Sequence, residues 1–508
     1  MSLQETEQTP LLHNQNPTHI HLNGNSNNSN VGNFGSTSTS VEAEIEATPT
    51  KKDAHDLIYE RFSVPRKRAI LAMLSAAGLM PLFVGGTFIP CIPQIAKDLD
   101  VPPGTISLAV SISVLATSLG ALWGSTYSGF YGRRPIYLAF LPLSVLGSLG
   151  VSVATTIPEL MVWRFLQAFG VSPALSVGAG VIGDIYRLEE RGTAMGVFFA
   201  AVLLGPALAP LAGGTAAHYS SWRTMQALVG ITVLLVYLTM VFLFPETSHP
   251  GTRGIDHLRK AEEETGRRQI PQWRPVLLNP FKGMALLRSP NLFLTATTAF
   301  VVLAVDYVLL IPIAYTIGKK YNITNEALIG ACFLPNGLGS MLGAPIAGRI
   351  SDHLVVKWRS KRGMWYPEDR LRAALPGALF LVPLSVLFAG FLTAYVDGTV
   401  GLVLNLVCLF ANGLGVDVVL SPVSSYVVDV MHSKSAESTA AMSAFRSTLL
   451  AMVIAIIMPS IERIGVFYTN AIAACVGWVG FGLLWLTIKY GEEMRAWVDV
   501  GYSTVENN

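Results

Sequence analysis

Charged residues are scarce in this chain of 508 residues. Asp, Glu, Lys and Arg make up 13% of it, about half the fraction found in soluble domains. So few charges cannot cover a surface that faces water, which excludes an ordinary soluble protein. The formal net charge of +2 indicates no partner by itself, and we expect no nucleic-acid partner.

Cysteine is scarce as well. The four cysteines, Cys91, Cys332, Cys408 and Cys475, lie far apart, in or beside apolar segments. They form no CxxC or Cys/His spacing that would hold a metal or build a disulfide framework. A nucleophile–base motif is missing too. We therefore expect no metal, no cofactor and no enzymatic activity.

The N-terminal region lacks an apolar stretch, which excludes a signal peptide. It is rich in Asn, Ser, Thr and Gln, and such a segment cannot bury enough apolar surface to fold. We predict a disordered cytoplasmic tail over residues 1–62. Within it, EQTPLL at 7–12 (Glu7 to Leu12) resembles an acidic dileucine sorting signal, although chance occurrence in a low-complexity tail is the stronger explanation. The expected location is the plasma membrane, with the vacuolar membrane as the alternative.

Apolar residues, in contrast, make up 51% of the chain. They form twelve windows of about 20 residues, each long enough to cross the roughly 30 Å hydrocarbon layer of a bilayer. The windows are 69–92, 104–127, 135–156, 160–182, 194–216, 224–244, 291–317, 327–349, 375–395, 400–424, 438–459 and 465–488. They predict an all-α membrane protein with two six-helix bundles at 63–246 and 291–490, a cytoplasmic linker at 247–290 and a cytoplasmic tail at 491–508.

The placement of positive charge supports this count. If the N-terminus lies inside, twenty-five lysines and arginines fall on inner segments and five on outer loops. Positive residues remain on the cytoplasmic side, so both the count and the topology fit. Asn322 begins an NIT sequon on a predicted outer loop, which indicates a glycosylation site.

The chain also repeats itself. PLSVL occurs at 142–146 and again at 383–387, and five polar, glycine or aromatic residues of helix 4 recur in helix 10 about 245 positions later. Chance matches between apolar helices are the alternative explanation. Parallel six-helix halves are typical of transporters whose substrate site lies between the repeats near mid-membrane.

Several motifs of the chain resemble those of one protein family. They are GSTYSGFYGRRP at 124–135, RFLQAFG at 164–170, GPALAPLAGG at 205–214, FPET at 244–247, WRTMQ at 222–226 and WYPEDRL at 365–371. The chain resembles the major facilitator superfamily, specifically the fungal twelve-helix drug:proton antiporters of the quinidine-resistance group. The resemblance implies two halves that rock about a central cavity.

It also implies charge pairs that latch the inner face. The implied gating residues are Gly132, Arg133, Arg134, Asp184, Gly205, Pro206, Pro210, Gly213, Gly214, Gly348 and Asp352. Gly129 stands where the family carries an acid, which predicts a weakened latch in the first half, with Asp184 left to accept Arg133 or Arg134. The Gly and Pro residues of helix 5 suit a kinked, smooth wall, although ordinary helix packing would use the same residues.

Four ionisable residues fall inside predicted spans: Arg164, Asp306, Asp417 and Arg446. Such residues are costly in a membrane and mark solute or proton pathways, unless they form structural ion pairs between helices. Arginine does not release its proton in proteins, so Asp306 and Asp417 are the candidate proton carriers. We expect Gln167, Asn336 and Asn412 to add hydrogen-bonding groups to the same pathway.

These features together predict a monomeric secondary transporter that exports small organic solutes or drugs in exchange for protons. Two arginines favour organic anions such as carboxylates, whereas two aspartates favour cationic amphiphiles, and the sequence leaves the choice open. A proton-coupled importer is a further alternative. The expected partners are the solute, protons and the lipid bilayer.

Overall fold

The structure is a computed structural model that describes residues 59–249, 251–265, 276–431 and 435–498. All regular structure within these ranges is helical. Twelve segments, α1 to α12, are long and apolar enough to cross a membrane. In chain order they are Val64–Asp98, Pro103–Tyr131, Arg133–Val153, Ile157–Ile185, Thr193–Tyr219, Trp222–Leu243, Pro290–Gly318, Glu326–Arg362, Pro367–Tyr395, Gly398–Val430, Glu437–Ile464 and Val466–Trp497.

The predicted all-α fold with twelve spans is therefore confirmed. Most of the predicted tail, residues 1–58, lies outside the described residues, as does the dileucine-like motif. The predicted linker contains a helix at Gly254–Thr265 and a 3-10 segment at Lys282–Arg288. The last span runs to Trp497, seven residues into the segment predicted as a tail.

Several spans are broken near prolines. In α4 the helix Ile157–Val171 is followed by the helix Pro173–Ile185. In α1 the helix Val64–Gly86 gives way to a 3-10 turn at Ile89–Cys91. Proline has no backbone N–H to donate to the preceding turn, so these positions interrupt the helical hydrogen bonds.

The buried apolar residues form two clusters that show how the halves meet. One cluster lies wholly in the N-terminal half and includes Ile70 and Phe198. The other joins C-terminal residues such as Phe333 to Phe88 and Ile92 of α1. With the N-terminus inside, Phe88 and Ile92 belong to the outer end of α1. Under this predicted topology, the halves share a core on the outer side, and the N-terminal half keeps a separate core on the inner side.

Candidate transport pathway and gates

Arg164 lies fully buried in α4, facing the outer part of α1. Its Nη1 donates to Gln167 Oε1 at 2.7 Å, and its guanidinium carbon lies 4.1 Å from the centre of the Phe88 ring. Nε and Nη2 have no hydrogen-bond partner in the structure. A buried guanidinium with two unused donors is suited to bind an anionic or carbonyl oxygen.

Gln167 connects Arg164 to two other helices. Its Nε2 donates to Ser148 Oγ of α3 at 2.9 Å and to Gln226 Oε1 of α6 at 3.0 Å. The Gln226 Nε2 atom is buried and has no hydrogen-bond partner among the described residues. Gln167 therefore fixes the packing inside the N-terminal half and holds Arg164 in position.

Asp306 of α7 is 8% exposed. Asn336 Nδ2 of α8 donates to its Oδ1 at 2.9 Å. Among the described residues Asp306 has no cationic partner. A buried carboxylate without a counter-ion is costly, which makes this position chemically unusual.

Asp417 and Arg446 lie in the same half. Asp417 of α10 is close enough to Asp306 for their charges to interact. It packs against α8, where a Cβ on Gly343 would lie 3.1 Å from the Asp417 Cβ. Arg446 of α11 lies within electrostatic range of Tyr307, the neighbour of Asp306. The structure thus brings both aspartates together on the C-terminal side.

Asn412 occupies a different place. It is fully buried, its Nδ2 donates to Ser385 Oγ of α9 at 3.0 Å, and its Oδ1 has no partner in the structure. Asn412 thus connects α10 to α9 inside the C-terminal half, much as Gln167 connects helices in the other half. The two amides are structural counterparts.

At the inner face of the N-terminal half, Arg133 donates through Nε to Asp184 Oδ2 at 2.9 Å. Arg134 instead donates to the Val241 carbonyl at 2.8 Å. Asp184 thus pairs with Arg133, one of the two partners that the sequence left open. Gly129 has open space where a Cβ would lie, so nothing there replaces the missing acid.

Glu246, in the FPET motif, stabilises the turn between α2 and α3, where Arg133 and Arg134 lie. It accepts backbone N–H groups of Arg133 at 3.0 Å and Arg134 at 3.1 Å, together with those of Thr247 and Ser248. Burial alone would raise the pKa of Glu246, but these backbone hydrogen bonds outweigh it and lower the pKa. Gly132 turns the chain there with φ of +108°, and a Cβ would lie 2.7 Å from Glu246 Oε2.

The C-terminal half has a matching cluster. Arg370 donates to Asp429 Oδ2 at 2.7 Å and to Asp352 Oδ1 at 2.9 Å. Asp429 is the repeat counterpart of Asp184. Gly348, in contrast, has open space around it.

The helix 5 motif contacts both halves. Pro206 and Pro210 lie inside the helix. A Cβ on Gly205 would meet Leu82 Cβ of α1 at 2.8 Å, and one on Gly213 would meet the Thr87 carbonyl at 2.2 Å. A Cβ on Gly214 would meet the Glu326 carbonyl of α8 at 2.3 Å. The motif therefore allows close backbone contact with α1 and, at its outer end, with the opposite half.

Some charged contacts were not anticipated from the sequence. Arg495 pairs with Glu368, which ties the end of α12 to the start of α9, and His218 Nδ1 lies 3.0 Å from Glu326 Oε2. Glu368 belongs to the WYPEDRL motif, but its partner Arg495 lies more than a hundred residues further along the chain. Asn322 is exposed on the loop before α8. No cluster suited to hold a metal occurs within the described residues.

Comparison with known proteins identifies the family. The profile of the Major Facilitator Superfamily matches residues 71–459. The chain belongs to this superfamily. The efflux pump radE of Floropilus chiversii is 25% identical, with 85% of this chain and 81% of that protein covered. The MFS antiporter QDR3 of Candida albicans is 23% identical, with 85% and 79% covered.

Citrate exporter 1 of Aspergillus niger is 24% identical, with 89% of this chain and 90% of that protein covered. Among solved structures, a POT family transporter in complex with 5-aminolevulinic acid matches with a TM-score of 0.63 at 12% identity, covering 84% of this chain and 96% of that one. The chain is thus a multi-pass membrane protein and a secondary transporter of small molecules, not an enzyme.

Proposed function

We propose that this transporter exports small organic solutes by alternating access and exchanges them for protons, with Asp306 as the coupling acid. The observation that carries the proposal is the carboxyl of Asp306, which lacks a counter-ion in the described part of the chain. It lies buried in mid-span, where its partner among the described residues is the Asn336 amide and not a cation. Such a group is accommodated most easily with a proton bound, so it can pick up a proton on one side and release it on the other.

The names of the relatives support export. An efflux pump, an antiporter and a citrate exporter each match most of this chain. Proton-coupled import, the alternative, has no such support. We expect the transporter to act as a monomer in the plasma membrane. The vacuolar membrane is the alternative location, and microscopy of a tagged chain would distinguish the two.

In the proposed cycle, the structure corresponds to the inward-facing state of the transporter. In this state the halves pack together on the outer side, and the N-terminal half has its own core on the inner side. A solute from the cytoplasm enters between the halves, and Asp306 loses its proton to the inside. Rearrangement then exposes the solute to the outside, where Asp306 takes up a new proton as the solute leaves. Asp417, close to Asp306, is the alternative carrier, because two interacting carboxyl groups titrate as a pair.

Arg164 makes organic anions the first substrate class to test, because its two unused donors lie fully buried. The aspartates keep cationic amphiphiles as the second class. The two are separated by competition between citrate-like carboxylates and lipophilic cations. If Arg164 binds the solute, Arg164→Ala should abolish transport of the anion and leave any transport of cations intact.

The coupling test uses inside-out vesicles with an acidic lumen. We expect solute accumulation to follow the proton gradient and to vanish when a protonophore collapses it. Asp306→Asn should abolish this accumulation but retain exchange of labelled for unlabelled solute, because exchange needs no net proton movement. Asp417→Asn, measured in parallel, identifies which acid couples.

Asp397→Asn is the matched control, because Asp397 is an acid of the same half that lies 84% exposed beside Lys320. It should behave like the wild type. Accumulation that ignores the imposed gradient would overturn proton coupling. Gradient-driven accumulation that survives in Asp306→Asn would remove Asp306 from the mechanism.

A further inference from the structure

The outer ends of α5 and α8 meet with almost no side chain between them. A Cβ on Gly330 of α8 would lie 2.4 Å from the Pro210 carbonyl of α5, and a Cβ on Gly214 would lie 3.0 Å from Gly330 Cα. Further along, a Cβ on Gly337 would lie 2.4 Å from Ala207 Cα. These contacts join the N-terminal half to the C-terminal half, so they must separate whenever the outer side opens.

A charged pair lies directly beyond this contact. His218, in the last turn of α5, faces Glu326, in the first turn of α8, with 3.0 Å between Nδ1 and Oε2. The two side chains are about one-third exposed. Glu326 also supplies the backbone carbonyl that packs against Gly214. The pair and the glycine contact therefore belong to one structural unit across the boundary between the halves.

We propose that His218 and Glu326 form a proton-sensitive latch on the outer gate, in which protonation of His218 from the outside holds α5 against α8. The glycines bring the two backbones close enough for the pair to form. This role is distinct from the coupling acid Asp306, because the latch responds to outside pH and binds no solute.

The direction of the pH effect follows from the chemistry of imidazole. Histidine is the side chain whose charge changes between about pH 5 and 8. An imidazolium that donates to a carboxylate makes a stronger, charge-assisted hydrogen bond than a neutral imidazole. Acid outside should therefore stabilise the closed outer gate, and neutral or alkaline pH outside should loosen it.

The other charged groups near this surface either form ion pairs with residues other than His218 or are exposed to solvent. On α1, Asp98 pairs with Arg223 at the start of α6, and Lys97 is exposed. The Tyr219 ring lies 4.9 Å from the His218 ring, edge to face. Directly after α7, Lys319 is exposed and Lys320 pairs with Asp397. Glu326 is thus the acid that His218 contacts across the boundary.

Opening of the outer gate can be measured without transport. Ser118 of α2 is 3% exposed, and its Oγ lies 3.3 Å from the Ala444 carbonyl of α11 in the opposite half. In a background with the four native cysteines replaced by alanine, Ser118→Cys reports separation of the halves. A membrane-impermeant maleimide added outside intact cells should label it only when the outer gate opens.

With His218 and Glu326 intact, we expect labelling to be slower at about pH 5.5 outside than at about pH 7.5. His218→Gln and Glu326→Gln should each raise the rate at the acidic pH by about fivefold, the effect of a contact worth roughly 1 kcal/mol. The double variant should add nothing further. His218→Lys, a permanent cation, should keep labelling slow at both pH values.

Asp98→Asn is the control, because the Asp98–Arg223 pair lies at the same outer surface but within one half. It should leave the pH response unchanged. Equal labelling of the wild type and both single variants at the two pH values would overturn the latch, as would effects that simply multiply in the double variant. Because the readout is accessibility, this outcome is independent of whether Asp306 couples transport to protons.

Discussion

At the scale of single residues, Glu246 shows how one carboxylate can organise an inner turn. Its oxygens accept four backbone N–H groups, two of which begin α3. An acid at a helix N-terminus is favoured both by the unpaired N–H groups and by the helix dipole. The residue thus stabilises the junction of α2, α3 and the end of α6.

Replacement of this carboxylate should reduce stability in a pH-dependent way. We expect Glu246→Gln to lower the free energy of unfolding by about 1–3 kcal/mol at pH 7. The folded-state pKa of Glu246 is lowered, so its stabilisation is present above the unfolded-state value and is lost as pH falls through the folded-state value. Thermal unfolding in detergent at a series of pH values measures this.

The difference between Glu246→Gln and the wild type should therefore shrink under acidic conditions. Glu493→Gln, at an exposed position near the end of α12, controls for loss of a negative charge. A difference that stays constant from neutral to acidic pH would show that the carboxylate charge is not what stabilises the turn.

At the scale of helices, the spans were predictable because the requirement is local. A stretch of about 20 apolar residues is needed to cross a bilayer, and hydropathy along the chain shows it directly. The inner ends were underestimated: α8 continues to Arg362, well past the predicted residue 349. Its last turn contains Arg359, Lys361 and Arg362, whose charges end the hydropathy signal but suit the C-terminus of a helix.

The contacts between helices were less predictable, because they depend on pairs of distant residues. Four intramembrane charges were visible as exceptions to apolar composition. The pairing of Asp306 with Asn336 needs the crossing of α7 and α8, and that of His218 with Glu326 needs the two halves to meet. Neither crossing leaves a periodic signal in one sequence.

Close helix crossings suggest a direct test of packing. A Cβ on Gly147 of α3 would lie 2.3 Å from the Gln167 backbone N of α4. Backbone atoms cannot move aside as a flexible side chain can, so Gly147→Ala should destabilise the protein by about 1–3 kcal/mol. Gly482→Ala in α12, where the added Cβ would meet no other described part of the chain within 4 Å, should change the melting temperature little. Equal melting temperatures for the two variants would contradict this account of the crossing.

At the scale of the whole molecule, the two halves repeat their inner charge clusters but not equally. Arg133 pairs with Asp184 in the first half, and Arg370 pairs with both Asp429 and Asp352 in the second. The repeat therefore preserves the acid of helix 4 and helix 10. The first half has no counterpart of Asp352, because Gly129 occupies that position.

This inequality predicts different costs for similar substitutions. Asp184→Asn removes the one carboxylate that pairs with Arg133 in the structure, and Asp184 is only 16% exposed. Asp352 is 71% exposed, and Asp352→Asn leaves Arg370 with Asp429. Exposed ion pairs contribute about 0–1 kcal/mol, whereas loss of a charged partner from a more buried hydrogen bond costs about 1.5–3 kcal/mol.

We therefore expect Asp184→Asn to lower the melting temperature clearly more than Asp352→Asn, and Asp429→Asn to fall between them because Asp352 remains as a partner. Thermal unfolding of the three variants in the same detergent tests the order. Adding Gly129→Asp to Asp184→Asn provides the decisive comparison, because Gly129 has open space beside it. If an acid at position 129 can pair with Arg133 as Asp352 pairs with Arg370, this double variant should recover part of the lost stability. No recovery would mean that the halves share a sequence pattern but do not stabilise their inner charge clusters in the same way.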